Sequence, residues 1–112
     1  MPELTILMPV FNERVTIEAA IDDALGAELP AGSRELVIVD DGWADGTREY
    51  LRGRELPANV QVIFHDRNRG KGTALRTALQ HANGRFSAIL DADLEYAAAD
   101  LGLILQPLLT GE

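Results

Sequence analysis

Residues 35–39 read ELVIV, and Asp40, Asp41 and Gly42 follow directly. A strand with one wet face alternates polar and apolar side chains. A nearly continuous apolar run instead suits a strand in a sheet covered on both faces. The same pattern recurs on either side of this segment. Upstream, LTILMPV at 4–10 predicts a second buried strand, with Pro9 near an end where the ladder needs no donor. Between the two, Ile17, Ala20, Ile21, Ala24 and Leu25 follow Thr16 at helical spacing and describe one apolar helix face. Pro30, Gly32 and Ser33 form the loop that returns the chain.

Downstream, a short helix is predicted to start near Asp45 or Thr47, either of which can cap it. Pro57 and Asn59 break the chain before a third strand, VQVIFH at 60–65. A polar loop, DRNRGKG, leads into a helix carrying Ala74, Leu75, Ala78, Leu79 and Ala82 on one face. Asn83-Gly84 is its predicted stop. A fourth strand, FSAIL, ends at Asp91, and a last helix starts near Ala98–Asp100 and buries Leu101, Ile104, Leu105 and Leu108. Strand-helix alternation of this kind implies right-handed crossovers, hence an α/β fold with a mostly parallel sheet and flanking helices.

Composition narrows the function. The 112 residues make one domain, and 46% hydrophobic with 25% charged residues is ordinary for a globular chain. The net charge of −8 opposes non-specific binding of nucleic acid or anionic lipid. The absence of cysteine excludes a disulfide scaffold, zinc-thiolate sites and thiol catalysis. No apolar run approaches the roughly 18 residues of a membrane span, so no transmembrane segment is predicted in this chain. The N-terminal MPELTILMPVFNE has no basic segment, and no signal peptide is predicted.

In an open parallel sheet a ligand binds outside the carboxyl ends of the strands. Those ends carry Pro9-Val10-Phe11-Asn12-Glu13, Asp40-Asp41-Gly42 and Asp91-Ala92-Asp93-Leu94-Glu95. Carboxylates crowded on one edge raise one another's pKa unless a positive charge joins them. A hard divalent cation resolves that conflict, and all-oxygen donors favour Mg²⁺ or Mn²⁺. Asp91 and Asp93 suit such an ion, and Glu95 can add a ligand. Asn68 to Thr73 has the composition of a phosphate cradle with Arg69 and Lys71 beside a helix start. It reads equally as a tight loop entry carrying solvated basic residues. Asp45 and Thr47 read as caps. His65 and His81 have no acidic partner at a metal-ligand spacing and read as structural or exposed.

Taken together, ILMPVFNE at 6–13, VIVDDGWADGT at 37–47, NRGKGTAL at 68–75 and ILDADLEY at 89–96 resemble family 2 glycosyltransferases of the GT-A fold. The polyprenyl-phosphate sugar transferases related to dolichyl-phosphate mannose synthase look most similar. The resemblance implies a Rossmann-like nucleotide-binding half, spanning residues 1–112 and truncated at its C-terminal end. It implies inverting, metal-dependent transfer of a sugar from a GDP- or UDP-sugar to an acceptor such as a polyprenyl phosphate. By resemblance, Pro9, Phe11, Glu13, Val39 and Asp41 line the base and ribose pocket, and Asp91 and Ala92 lie along the nucleotide. Asp93 holds the metal, with Glu95 as a further ligand. Trp43 stands where the family commonly carries Ser. No catalytic base is assigned, so a non-catalytic nucleotide-binding or protein-interaction module is the alternative. A lipid acceptor implies a cytoplasmic location at the membrane face, and apolar surface left by the short length implies a homo-oligomer.

Overall fold

The computed structural model describes residues 2–29, 32–42, 45–93 and 98. Its strands are β1 (Leu4–Val10), β2 (Arg34–Asp40), β3 (Val60–Phe64) and β4 (Phe86–Ile89). The helices are α1 (Ile17–Gly26), α2 (Thr47–Gly53) and α3 (Lys71–Gln80). The four strands form one parallel sheet in the order β3-β2-β1-β4. The α/β fold with a parallel sheet predicted from the sequence is the one observed.

The apolar runs of β1 and β2 are explained by what lies on each face. Leu4, Ile6, Met8, Leu36 and Ile38 pack with Ile17, Ala20, Ile21 and Ala24 of α1 and with Leu51 of α2. Leu7, Val37 and Val39 point the other way, onto Ala74 and Ala78 of α3. Side-chain parity along each strand therefore assigns two helices to one face and one to the other. From β1 to β3 the chain steps outward in one direction. It then recrosses through α3 to place β4 on the opposite side of β1. The order reverses at the β1–β4 boundary, and there a crevice opens at the strands' carboxyl ends.

Local chemistry differs from the sequence reading at several ends. The N-cap of α2 is Gly46, at φ 91. Asp45 still serves that helix from one residue upstream, accepting from the Thr47 N–H at 3.1 Å and the Thr47 hydroxyl at 2.5 Å. The helix α3 ends at Gln80, so Asn83-Gly84 is not its cap. Gly84 instead lies hard against β1. A Cβ there would stand 2.6 Å from the Thr5 backbone nitrogen and 2.8 Å from the Leu4 carbonyl carbon. Its N–H donates to the Thr5 hydroxyl at 2.9 Å, and the Glu35 carboxylate accepts from Thr5 and from both nitrogens of Asn83. His65 and Leu90 lie just beyond the ends of β3 and β4. The last predicted helix and Trp43 lie outside the described residues. Ala98 is buried on the α1 side, where its N–H donates to Asp23 at 2.5 Å.

Gly84→Ala is expected to cost about 1–3 kcal/mol, because backbone atoms surround the added methyl group. Gly26→Ala, at the open end of α1 with nothing within 4 Å, is expected to stabilise by about 0.4–1 kcal/mol. Equilibrium urea unfolding of the two variants checks the pair.

Candidate functional site

A cleft of about 480 Å³ opens at the carboxyl ends of β1, β2 and β4. Pro9, Val10, Phe11 and Glu13 line it from the end of β1, Asp41 from β2, and Asp91 and Asp93 from beyond β4. Asn68, Gly70, Lys71 and Ala74 close it from the loop before α3 and from α3 itself. Phe11 is 52% exposed, an open aromatic surface in the cleft wall. Beside it, Asn12 adopts a left-handed φ of 52°. Gly42 packs directly against this turn, where a Cβ would lie 2.6 Å from the Asn12 backbone nitrogen.

The two aspartates at the end of β2 face opposite ways and are both neutralised from within the protein. Asp40 is fully buried, accepting from Arg48 Nε at 3.1 Å and from the Gly42 N–H at 3.0 Å. The same guanidinium donates to the Asp40 and His65 carbonyls at 3.3 and 2.8 Å. Desolvation outweighs these partners and pushes the Asp40 carboxyl above its ordinary range. Asp41 points to the α3 side. Its Oδ1 meets His65 Nδ1 and the Arg69 N–H, and its Oδ2 meets the Gly70 N–H, all at 2.8 Å. Burial acts to raise the Asp41 carboxyl, but His65 and the two amides hold it below the usual range. His65 Nε2 in turn meets the Thr77 hydroxyl of α3 at 2.9 Å.

His65 thus has the acidic partner that the sequence reading did not find. Strand register supplies the missing signal. Asp40 pairs with Phe64 across β2 and β3, so the next residues, Asp41 and His65, leave the sheet side by side. The register also bears on the predicted phosphate cradle. The Arg69 and Gly70 amides that such a cradle would use are bonded to Asp41.

The remaining predicted residues divide. Glu13, Asp91 and Asp93 share the cleft mouth. Glu13 is raised above its ordinary value by partial burial first and then by the negative charges of Asp93, Asp45 and Asp91, against a hydrogen bond from Thr16. Lys71 reaches across from α3, its Nζ 2.8 Å from Asp91 Oδ1. Arg69 turns its guanidinium outward to Asp66 at 2.8 Å and does not line the cleft. Val39 is 0% exposed in the core under α3, and Ala92 is buried on the α1 side with its carbonyl accepting from Thr16 at 2.5 Å. Neither side chain lines the cleft. Glu95 lies outside the described residues. His81 is exposed, its Nδ1 on the Thr77 carbonyl.

Among the described residues, no group of three or more histidine or carboxylate side chains is arranged to hold a metal ion. The donor set at the cleft mouth nevertheless suits a hard cation. It is all oxygen, and Glu13 within it is raised by partial burial first and then by neighbouring negative charges.

Comparison with known proteins converges on one family. The profile of Glycosyl transferase family 2 matches residues 5–112. A succinoglycan biosynthesis protein, ExoO, of Rhizobium meliloti is 38% identical over 93 residues, which are 83% of this chain and 26% of that protein. A dodecaprenyl-phosphate galacturonate synthase of Rhizobium johnstonii is 33% identical over 104 residues, which are 88% of this chain and 30% of that protein. Among solved structures, the mannosyltransferase PcManGT of Pyrobaculum calidifontis, in complex with GDP-Man and Mn²⁺, superposes with a TM-score of 0.74. It is 34% identical, over 88% of this chain and 30% of that one. The chain spans 26% to 36% of the length of the first curated relatives it matches.

Asp41→Asn is expected to destabilise by about 2 kcal/mol at neutral pH, since an amide cannot accept from His65 and both loop N–H groups. A carboxyl lowered by folding stabilises above its unfolded value and loses that contribution as pH falls through the native value. The difference between wild type and variant should therefore hold at neutral pH and shrink once pH drops below the ordinary aspartate value of 3.8. Urea unfolding of both proteins across that pH range checks the sign.

Proposed function

The chain belongs to glycosyl transferase family 2, and from that premise we propose that its cleft binds the nucleoside diphosphate of a sugar donor. The supporting observation is the placement of Phe11, Glu13, Asp91, Asp93 and Lys71 around one crevice at the β1–β4 switch. An exposed aromatic ring suits a nucleobase, a carboxylate suits ribose hydroxyls, and a lysine suits a diphosphate. Pro9 and Val10 form the wall between them. Asp41 acts by fixing the loop at Arg69 and Gly70, which sets the start of α3.

On this reading Asp93, with Asp91 and Glu95, holds Mg²⁺ or Mn²⁺, which would neutralise charge on the departing diphosphate. The reaction is a direct displacement. An acceptor oxygen bonds to the anomeric carbon from one side, and the sugar–phosphate bond breaks on the other with inversion. The bond electrons leave with the nucleoside diphosphate. A hydroxyl acceptor must also lose its proton to a base. A polyprenyl phosphate arrives largely ionised near neutral pH, which removes that demand. We therefore favour a polyprenyl phosphate as the acceptor, consistent with the dodecaprenyl-phosphate relative. That acceptor would place the working protein at a membrane face, on the cytoplasmic side where nucleotide sugars are found. Among the described residues no helix is long and apolar enough to cross a membrane. The chain supplies the donor-binding part of the transferase.

Calorimetric titration with UDP and GDP, each with and without Mn²⁺, tests the reading. Binding of one nucleotide that Mn²⁺ strengthens, and that Asp93→Ala weakens by about tenfold or more, is the expected result. Absence of binding by either nucleotide in the presence of Mn²⁺ would overturn it.

A further inference from the structure

The pairing of Lys71 with Asp91 carries an inference that rests on the donor-site reading and deepens it. Lys71 is the first residue of α3, and Asp91 is the second residue after β4. One comes from α3 and the other from beyond β4, and both line the cleft. Their 2.8 Å contact therefore lies within the space that, on that reading, a diphosphate and its cation would enter. The pair is partly exposed, with 61% and 36% of the two side chains accessible, so it can be broken at small cost.

We propose that Lys71 is a tethered counter-cation which exchanges partners when the donor binds. Without ligand, its ammonium group compensates Asp91 and competes with a divalent ion for that carboxylate. When the nucleoside diphosphate enters, the ammonium moves to the phosphate oxygens and releases Asp91 to the ion. Divalent metal and nucleotide therefore bind cooperatively. Metal alone must displace a lysine, whereas metal with nucleotide meets a carboxylate already released. The local charges support a cation in this place in both states. Glu13 is disfavoured as an anion by partial burial first and then by Asp93, Asp45 and Asp91. The Arg69 and Gly70 amides just before α3 are committed to Asp41. A flexible lysine stem anchored at a helix start is thus an anion-binding group that can move.

The test uses Mn²⁺ alone, followed by electron paramagnetic resonance, and Mn²⁺ with UDP or GDP, followed by calorimetry. Lys71→Met is expected to bind Mn²⁺ alone about two- to five-fold more tightly, the scale set by loss of an exposed ion pair. The same variant is expected to bind the nucleotide with Mn²⁺ about tenfold more weakly. Lys71→Arg, which keeps the charge, should recover most of both effects. Arg76→Met removes an exposed positive charge from the same helix and should move neither affinity. If Lys71→Met leaves the affinity for Mn²⁺ alone unchanged while wild type binds nucleotide with Mn²⁺, the exchange is refuted and the donor site stands. If Arg76→Met matches Lys71→Met, a general field replaces the contact and the exchange is likewise refuted. If wild type binds neither nucleotide with Mn²⁺, the donor-site reading fails and the exchange fails with it.

Discussion

The architecture turns on the cost of burying two adjacent carboxylates at the end of β2. Unpaired, either would be expelled from a low-dielectric interior or neutralised by a proton. Strand geometry sends Asp40 to the α2 side and Asp41 to the α3 side, so each needs its own compensation. Arg48 meets the first and also reaches the His65 carbonyl, binding α2 to the ends of β2 and β3. His65 and two loop amides meet the second, binding the end of β3 and the start of α3. The two outcomes differ in sign. Asp40 remains raised, so its ionised form carries a net penalty that appears as pH rises through its native value. Asp41 is lowered, and its ionised form stabilises. The loop that forms one wall of the cleft is thus held by a buried charge and not by apolar packing.

How much of this was legible in the sequence follows from how far each interaction reaches along the chain. Apolar runs mark β1 and β2 because burial on both faces leaves a local signature, whereas β3 and β4 are less buried and keep shorter runs broken by Gln61 and Ser87. Helical spacing found α1 and α3 for the same reason. The glycines were harder. Gly42 and Gly84 read as turn and stop signals, yet what each satisfies is close approach to β1 or its end, at residues 30 and 79 positions away. The compensation of Asp40 and Asp41 was less legible still. Arg48 lies eight positions from its partner, and His65 lies 24 from Asp41, with only the β2–β3 register to bring the latter pair together. The carboxylates crowded at the strand ends therefore divide by what compensates them. Asp40 and Asp41 are held by partners within the fold, Asp41 at the cleft wall, and Glu13, Asp91 and Asp93 stand at the cleft mouth.

The same distinction separates residues of the cleft from residues that only neighbour it in sequence. Val39 and Ala92 sit within motif segments, but parity turns one side chain under α3 and the other toward α1. Pro9 and Phe11 are also two apart and present themselves to the cleft at the end of the most buried strand. The motif specifies a stretch of backbone, and the twofold period of the strand decides which of its members meet a ligand.

On the proposed reading, charge sets the terms on which an acidic chain would hold a phosphorylated ligand. With a net charge of −8, the long-range field repels a diphosphate. Local donors must overcome that field. The start of α3 is the natural place for them, and of the amides just before it those of Arg69 and Gly70 are occupied by Asp41. The cleft also carries Lys71, held against Asp91, beside carboxylates whose all-oxygen donors suit a divalent cation. Each missing ligand component carries the charge that the other's site lacks. A cation answers the carboxylates, and the diphosphate answers the cation and the lysine. A diphosphate entering alone meets carboxylates with Lys71 to hold it, whereas with a divalent cation beside them it meets positive charge directly. Asp41, by taking the Arg69 and Gly70 amides, removes two backbone donors from that balance and leaves more of it to Lys71 and a cation.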